Sequence, residues 1–499
     1  MSLKKLAGQT MWYGLSSILA RFLNYLLTPY LVGILATASY GEMSLVYACI
    51  PFLNVVFTYG METTYFRFSN KDEDNRKVFS TGSLSLLFST LLLTAVLLLG
   101  RDFFADFLRL QDHPQFLTWA AWIIALDTIT TLPYAKLRND GRPRKYAFIR
   151  VLGIVINIAF VFFFYSILPA IAKNDPSSFL ASWYDPNLGA GYVIIANLIQ
   201  SAITLVLLAP ELLSIKFEWD KKLWRQMMFY SLPIMIAGFG GMINETFDRI
   251  MLNWLAPVGS AEAAKVQVGI YSACYKLSIL ITLFIQAFRL GAEPFFFQQA
   301  KGQDAPRTYA RVMNYFVLTI CVMFLMVMLF LDVWKYFIPS KVMWEGLKVV
   351  PILLLANMSL GVYYNLSIWY KLSHSTKPGA VITFIGAGIT LLINFFFIPY
   401  FGYLACAWAT LACYASMMVI SYFWGQKVYP VPYNVPRVAR LFGVMLLVYA
   451  LNEVVIRMIP GFGMHLLSGG VFLLIYLAFV AVMEKNNLKR IPIIGNFMK

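Results

Sequence analysis

From Gln9 to Met483 the sequence is an almost unbroken series of apolar runs, each about 20 residues, the length a helix needs to cross the hydrocarbon core of a bilayer. The links between them are short. None exceeds about 20 residues, so none can hold a soluble domain with its own core. Whatever this chain does, it does inside a bundle of membrane helices, and no room exists for a catalytic domain. Composition agrees: 60% of the 499 residues are hydrophobic and 13% charged, against roughly 45–50% and 25% in soluble domains.

The runs read as about fourteen spans by length: Gln9–Leu35, Met43–Phe68, Thr81–Gly100, Gln115–Leu137, Ala147–Leu168, Tyr192–Leu213, Ser231–Leu255, Gly269–Phe297, Val312–Leu331, Leu347–Lys371, Ala380–Pro399, Leu404–Gly425, Leu441–Met458 and Leu466–Met483. The link RDFFADFLRLQDHP reads as a short amphipathic piece lying in the membrane interface. Lys+Arg 40 against Asp+Glu 24 leaves a formal charge of +16. In a soluble protein that excess would point to nucleic acid. Here it collects in the tails and in every second link, as in KLRNDGRPRKY and SIKFEWDKKLWRQ, while the alternate links are poor in Lys and Arg. Cytoplasmic loops show this bias. It places both termini in the cytoplasm and removes the argument for a nucleic-acid partner. The opening MSLKKLAGQTMWYG does not read as a signal peptide, because the apolar run after it is too long and lacks a small-residue cleavage site. Cys49, Cys274, Cys321, Cys406 and Cys413 all fall in apolar segments with no CxxC, and read as buried thiols. His113, His374 and His465 lie near helix ends. Neither a metal site nor any other cofactor is expected.

The chain repeats itself. Gly41-x-x-Ser44-x-x-Tyr47, ahead of the second run, returns as Gly269-x-x-Ser272-x-x-Tyr275 ahead of the eighth, 228 positions on. The same offset places Arg21 on Arg249. Lys136-Leu137 and Pro143 correspond to Lys371-Leu372 and Pro378, and Ile156-Asn157 lies near Ile393-Asn394 on a similar offset. A shift of six helices preserves topology, which makes these parallel repeats about an axis along the membrane normal. The expected fold is an all-α integral membrane protein with two pseudo-symmetric six-helix lobes, residues 1–225 and 226–427, followed by two C-terminal helices and a tail in 428–499. In such proteins the substrate site lies between the lobes near mid-membrane, and one lobe rocks against the other.

Charges inside the spans mark that site, because each costs about 2.5–3.5 kcal/mol at bilayer depth unless it faces a partner or a wet cavity. The seventh run holds Glu245, Asp248 and Arg249 near its centre. Glu245 and Arg249 share a helix face at i, i+4 and could pair. They fit either a cavity-lining cluster or a self-neutralising structural pair. Arg21 sits roughly 18 Å into the first helix, with no acid one turn away. It suits an anionic substrate, or an acid on another helix such as Asp127 or Glu62. In the eighth run Lys276 is cavity-lining or interfacial, and Arg289 precedes Glu293 by one turn. Pro294 should break that helix locally and free a carbonyl beside a cavity. Glu62 and Arg67 fit either an inner gate or a solvated helix end.

Several segments together resemble a known family. They are LAGQTMWYGLSSILARFLNYLLTPYLVGIL, the YG turn, GMETTYFRF, LPYAKLRNDGRPRKY, and SLP…DRIMLNWL followed by GIYSACYKL. The pattern is similar to the Wzx-type polysaccharide flippases of the MOP superfamily, which also holds the MATE drug/cation antiporters. The resemblance implies transport of an oligosaccharide on a polyprenyl diphosphate, from the cytoplasmic to the periplasmic leaflet of a bacterial inner membrane. It also implies a cationic cavity. Arg21, Arg249, Arg289 and Lys276 suit the diphosphate, since guanidinium forks match phosphate oxygens. Asp127, Glu245, Asp248 and Glu293 are left for ion coupling or charge pairing. Implied partners are the lipid-linked substrate, membrane lipids, and a polysaccharide polymerase with other assembly proteins. The alternatives are a MATE-type multidrug exporter, which would favour unpaired carboxylates over Arg21, and a flippase for the peptidoglycan lipid precursor. A membrane polymerase or ligase would need a large extracytoplasmic loop, which the chain lacks.

Overall fold

The computed structural model describes residues 3–69, 75–300, 302, 304–372 and 377–483. Within them every regular element is helical. Thirteen stretches are long and apolar enough to cross a membrane, and one shorter apolar helix joins them. These are α1 (Leu3–Ile34), α2 (Thr37–Thr58), α3 (Asn75–Leu99), α4 (Gln115–Asn139), α5 (Pro143–Phe162), the shorter α6 (Gly191–Leu207) and α7 (Lys221–Leu255). Then follow α8 (Ala261–Gln299), α9 (Ala305–Met328), α10 (Val350–Leu366), α11 (Lys377–Phe401), α12 (Tyr403–Val428), α13 (Val435–Met458) and α14 (Phe462–Met483). Positions Lys71, Lys301, His374 and the basic tail from residue 484 lie outside the described residues.

The spans agree with the sequence reading, but several ends move. The turn expected at ATASYGE is already helical from Thr37, and α8 begins at Ala261 rather than Gly269. Gly41 and Gly269, expected at or just before the start of their spans, therefore lie well inside helices with the rest of the motif. The second span breaks at Tyr59 and Gly60, both at positive φ, and resumes as Met61–Ser69. The expected break at position 294 does not occur: α8 runs through it uninterrupted. The fifth span continues past α5 through a π-helical turn, Phe163–Ile167, to Asn174. Side-chain caps fix two long helices: Asp220 accepts from the N–H groups of Lys222 and Leu223, and Ser260 from that of Ala263.

Packing repeats with the helices. In the first half α1 packs on α5, α2 and α3 on α4, and α4 and α5 on α6. Six helices later α7 packs on α11, α8 and α9 on α10, and α10 and α11 on α12. The halves meet through α2 with α8, α2 with α7, and α1 with α8. The last two contacts are each other's equivalents under the six-helix shift, and the first is its own. α13 and α14 pack on each other and against α9, outside this symmetry.

The α2–α8 crossing is close because glycine stands on both sides. A Cβ on Gly41 would lie 1.9 Å from the Lys265 carbonyl oxygen, and one on Gly269 would lie 2.3 Å from that of Thr37. Small residues let helix backbones approach in this way. Beside the glycines Lys265 Nζ meets Glu42 Oε1 at 2.7 Å, with both side chains 10% exposed or less. At the same end the short helix Arg101–Leu108 is tied to the end of α7. Trp254 Nε1 donates to the Phe107 carbonyl at 2.7 Å, Asn253 Nδ2 to that of Leu108 at 2.9 Å, and Arg109 Nη1 to that of Asn253 at 3.0 Å.

Candidate functional site

Between the halves lies a cavity of about 500 Å³, walled by α1, α2, α7, α8, α10 and α12. Its lining holds four cations, Arg21, Arg249, Lys276 and Arg289, and one carboxylate, Glu245. All four residues expected to form a cationic site are thus brought together. Arg21 is exposed into the cavity, and among the described residues no carboxylate lies within ion-pair distance of it or of Lys276. Glu245 is likewise exposed and, among the described residues, in no ion pair.

The other two arginines are held. Arg249 does not pair with the Glu245 side chain, as the i, i+4 spacing allowed; its Nη1 donates to the Glu245 backbone carbonyl at 3.0 Å. Its ion pair is with Asp248, Nη1 to Oδ1 at 3.0 Å, and the same Asp248 oxygen accepts from the Arg249 N–H at 2.8 Å. The second oxygen of Asp248 accepts from the Tyr271 hydroxyl at 2.6 Å. Asp248 is therefore buried behind the wall as the orienting partner of Arg249. The guanidinium then lies 4.7 Å from the Tyr275 ring centre. Arg289 sits 4.0 Å from the Tyr364 ring centre and 3.3 Å from Glu293. Glu293 is drawn more closely by Lys371, at 2.6 Å. Cations over aromatic faces keep part of their charge available in a weakly hydrated place. Tyr275 and Tyr364 line the cavity too. Sequence alone does not separate them from the many tyrosines that face lipid.

Asp127, Glu62 and Arg67 lie elsewhere. Asp127 and Glu62 line a second cavity of about 400 Å³ within the first half, walled by α2, α4, α5, α6 and the segment after the break at Gly60. The Ser201 hydroxyl donates to Asp127 Oδ1 at 2.8 Å. Glu62 pairs with Arg138 at 2.6 Å, not with Arg67, which instead stacks 4.2 Å from the Tyr230 ring centre. Here the structure adds a cation that the sequence reading missed. Arg150 lines this cavity between the rings of Tyr134 and Tyr146, at 4.9 and 5.9 Å. Read as three residues into a span starting at Ala147, it passes for a helix end. With α5 starting at Pro143 it lies about 10 Å inside. All five cysteines are free, four buried and Cys49 half-buried. Among the described residues no group of three or more His, Cys, Asp or Glu is placed to hold a metal ion.

A helical membrane bundle with a charged cavity between two equivalent halves is the architecture of a transporter, and the comparisons agree. The family model described as "Polysaccharide biosynthesis protein" matches residues 6–299. The chain belongs to that family, within the MOP superfamily of flippases and transporters. No curated protein matches it in sequence. Its fold is similar to that of a lipid II flippase, MurJ, in an inward closed conformation: TM-score 0.74, 12% identity, covering 95% of this chain and 99% of the other. A MATE protein in a straight conformation aligns with TM-score 0.58 and 12% identity, over 85% of this chain and 95% of the other. A MATE family transporter of the MOP superfamily, outward-facing, aligns with TM-score 0.57 and 12% identity, over 84% and 94%. The family and these neighbours are transporters and flippases rather than enzymes.

Proposed function

We propose that this protein moves an oligosaccharide carried on a polyprenyl diphosphate from the cytoplasmic to the periplasmic leaflet, by alternating access through the cavity between its halves. The observation that carries this reading is the excess of cations over carboxylates in that cavity. A diphosphate is doubly matched there. Arg21 and Lys276 are in no ion pair among the described residues, and Arg249 and Arg289 present guanidinium groups fixed by their own partners. A cationic drug would meet repulsion at the same place, which argues against multidrug export. A peptidoglycan precursor has the same diphosphate and differs only in its glycan.

In this reading residues 1–225 and 226–427 are the moving lobes, and 428–499 is an appendage. Both termini face the cytoplasm of a bacterial inner membrane. The α2–α8 crossing at Gly41 and Gly269 then closes the periplasmic side. Outward movement of the anion is downhill against an inside-negative potential, by about 2.3 kcal/mol per charge per 100 mV. If an ion is coupled, Glu245 is its carrier in the central cavity, because Asp248 and Glu293 are committed to Arg249 and Lys371. A polymerase on the periplasmic side would consume the product. The test is depletion of the protein followed by identification of the lipid-linked glycan that accumulates. Arg21→Ala, stable in the membrane, should reproduce that accumulation; normal surface glycan with Arg21→Ala and with Lys276→Ala would refute the cationic site.

A further inference from the structure

The second cavity differs from the central one in chemistry. Its charged lining consists of Arg150, Asp127 and Glu62, and Glu62 is already paired with Arg138. That leaves one cation facing one carboxylate, which gives no net attraction for a diphosphate. The rest of the lining is neutral but rich in hydrogen-bonding groups, including Asn54, Thr58, Thr131 and Gln200. Asn54 Oδ1 is buried without a hydrogen-bond partner among the described residues. A buried acceptor left unmatched costs about 1–3 kcal/mol unless a ligand or water serves it. Two tyrosine rings, Tyr134 and Tyr146, complete the wall. At about 400 Å³ the space is of ligand-site size, which runs roughly 300–1,000 Å³.

Mixed donors and acceptors, with an acid and a guanidinium at close quarters, are the groups that recognise a polyol, since each sugar hydroxyl both donates and accepts; the Tyr134 and Tyr146 rings hold that guanidinium in place. The two cavities are also neighbours. Along α2 the central cavity is lined as far as Ala48 and the second begins at Asn54, about 9 Å further on by helical rise. The partition between them includes a hydrogen bond from the Tyr47 hydroxyl, on the central side, to Asn197 Oδ1 at 3.2 Å. Asn197 is one turn from Gln200, on the other side.

We propose that the second cavity is a saccharide subsite, which holds the distal sugars of the substrate while the central cations hold its diphosphate. This rests on the proposed translocation of a lipid-linked oligosaccharide. It assigns glycan selectivity to the first half of the chain, at Asp127, Arg150, Asn54 and Gln200, away from the phosphate site.

The test uses the purified full-length protein carrying Thr131→Cys in the second cavity or Thr282→Cys in the central one, each labelled with a small maleimide. Two probes are added. One is the repeat-unit oligosaccharide of the source cell, freed from its lipid by mild acid, and the other is inorganic pyrophosphate. The oligosaccharide should slow labelling at position 131 at least tenfold and leave 282 unchanged; pyrophosphate should do the reverse. Oligosaccharide protecting only 282, both positions equally, or neither would overturn the subsite. Loss of pyrophosphate protection at 282 would instead count against the translocation reading itself. A second measurement guards against a disturbed cavity at 131. In proteoliposomes Arg150→Gln should lower, at least tenfold, the ratio of intact lipid-linked unit to the same lipid trimmed to its first sugar that is translocated. An unchanged ratio overturns the proposal. So does an effect of the pH gradient on both lipids alike in Asp127→Asn with the ratio unmoved, because that is an ion site and not a sugar site.

Discussion

Lys265→Met should open the end of the cavity that α2 and α8 close. Lys265 and Glu42 are 6% and 10% exposed and meet at 2.7 Å. Removing one partner leaves the other charge buried and unmatched, at a cost of about 3–5 kcal/mol. That cost falls only where the two helix ends touch; once they part, water reaches Glu42 and the penalty vanishes. At 1.4 kcal/mol per tenfold, the balance should move toward the parted state by roughly 100- to 4,000-fold. The exposed Asp112, 3.8 Å from Lys265, is too hydrated to alter this much. The assay is labelling of Ser272→Cys, on the cavity wall beside Gly269, by an impermeant maleimide applied from the α1–α2 side. Labelling should rise at least tenfold in Lys265→Met. It should fall back in the double variant Glu42→Met with Lys265→Met, because a buried pair replaced by apolar groups is roughly neutral and the glycine contact remains. A folded Lys265→Met protein that labels like its parent would refute the reasoning, as would a double variant that labels as fast as the single one.

Other outcomes follow from the same geometry. Gly269→Ala puts a methyl group 2.3 Å from the Thr37 carbonyl oxygen, so it should hold the α2–α8 ends apart and raise the same labelling without touching a charge. Arg21→Ala should slow translocation of the lipid-linked substrate roughly 10- to 100-fold, the value of one or two hydrogen bonds to an ionised group, with a smaller change in thermal stability than loss of a paired residue gives, since Arg21 is in no ion pair among the described residues. Asp248→Asn should behave oppositely, lowering stability through Arg249 and Tyr271, and a stable Asp248→Asn protein with unchanged melting would show that the cluster is not structural. Asp332, in the link after α9, is pushed up by burial but brought below the ordinary carboxylate range by hydrogen bonds from Lys335 and His465. Its stabilisation of the α14 contact, the Asp332–His465 pair, is therefore present above about pH 3.9, the unfolded value, and lost as pH falls through the lower folded value; amide exchange in α14 should quicken on that acid side.

Much of this was legible in the sequence because a bilayer permits few solutions. Span number, all-helical class and the gathering of Arg21, Arg249, Lys276 and Arg289 follow from where charges interrupt apolar runs. Pairing was not legible. Asp248 and Glu245 differ by one helical turn, yet one turns into the wall to meet Tyr271 and the other faces the cavity. Residue spacing fixes which faces two groups share, not what the neighbouring helix offers them. Arg150 escaped for a related reason: an apolar run marks where lipid contact starts, whereas α5 starts four residues earlier, at Pro143. Pro294 misled because a proline's effect on a helix depends on whether neighbours re-satisfy the freed carbonyl.

The repeated motif does two things on each of its helices, and in the proposed mechanism that links binding to gating. Gly41 and Gly269 make the close crossing, while Ser44, Tyr47, Ser272 and Tyr275, one and two turns along, line the cavity. A rise of 1.5 Å per residue puts the tyrosines only about 9 Å from the glycines on the same rigid rod. A ligand that draws Tyr47 and Tyr275 together or apart must therefore tilt the crossing itself. The backbone contact is symmetric: Gly41 faces Lys265, and Gly269 faces Thr37, its equivalent 228 positions earlier. The charge is not. The counterparts of Glu42 and Lys265 are Ile270 and Thr37, so the ion pair exists on one side of the axis only. In the proposed alternating-access mechanism the repeat gives both halves the same hinge, and the Glu42–Lys265 pair is a lock on one side of it only. Transplanting the lock to the other side, with Thr37→Lys and Ile270→Glu in a Glu42→Ile, Lys265→Thr background, should restore slow labelling of Ser272→Cys if the two faces are mechanically equivalent; labelling as fast as in Lys265→Met would show that the symmetry is one of shape and not of motion.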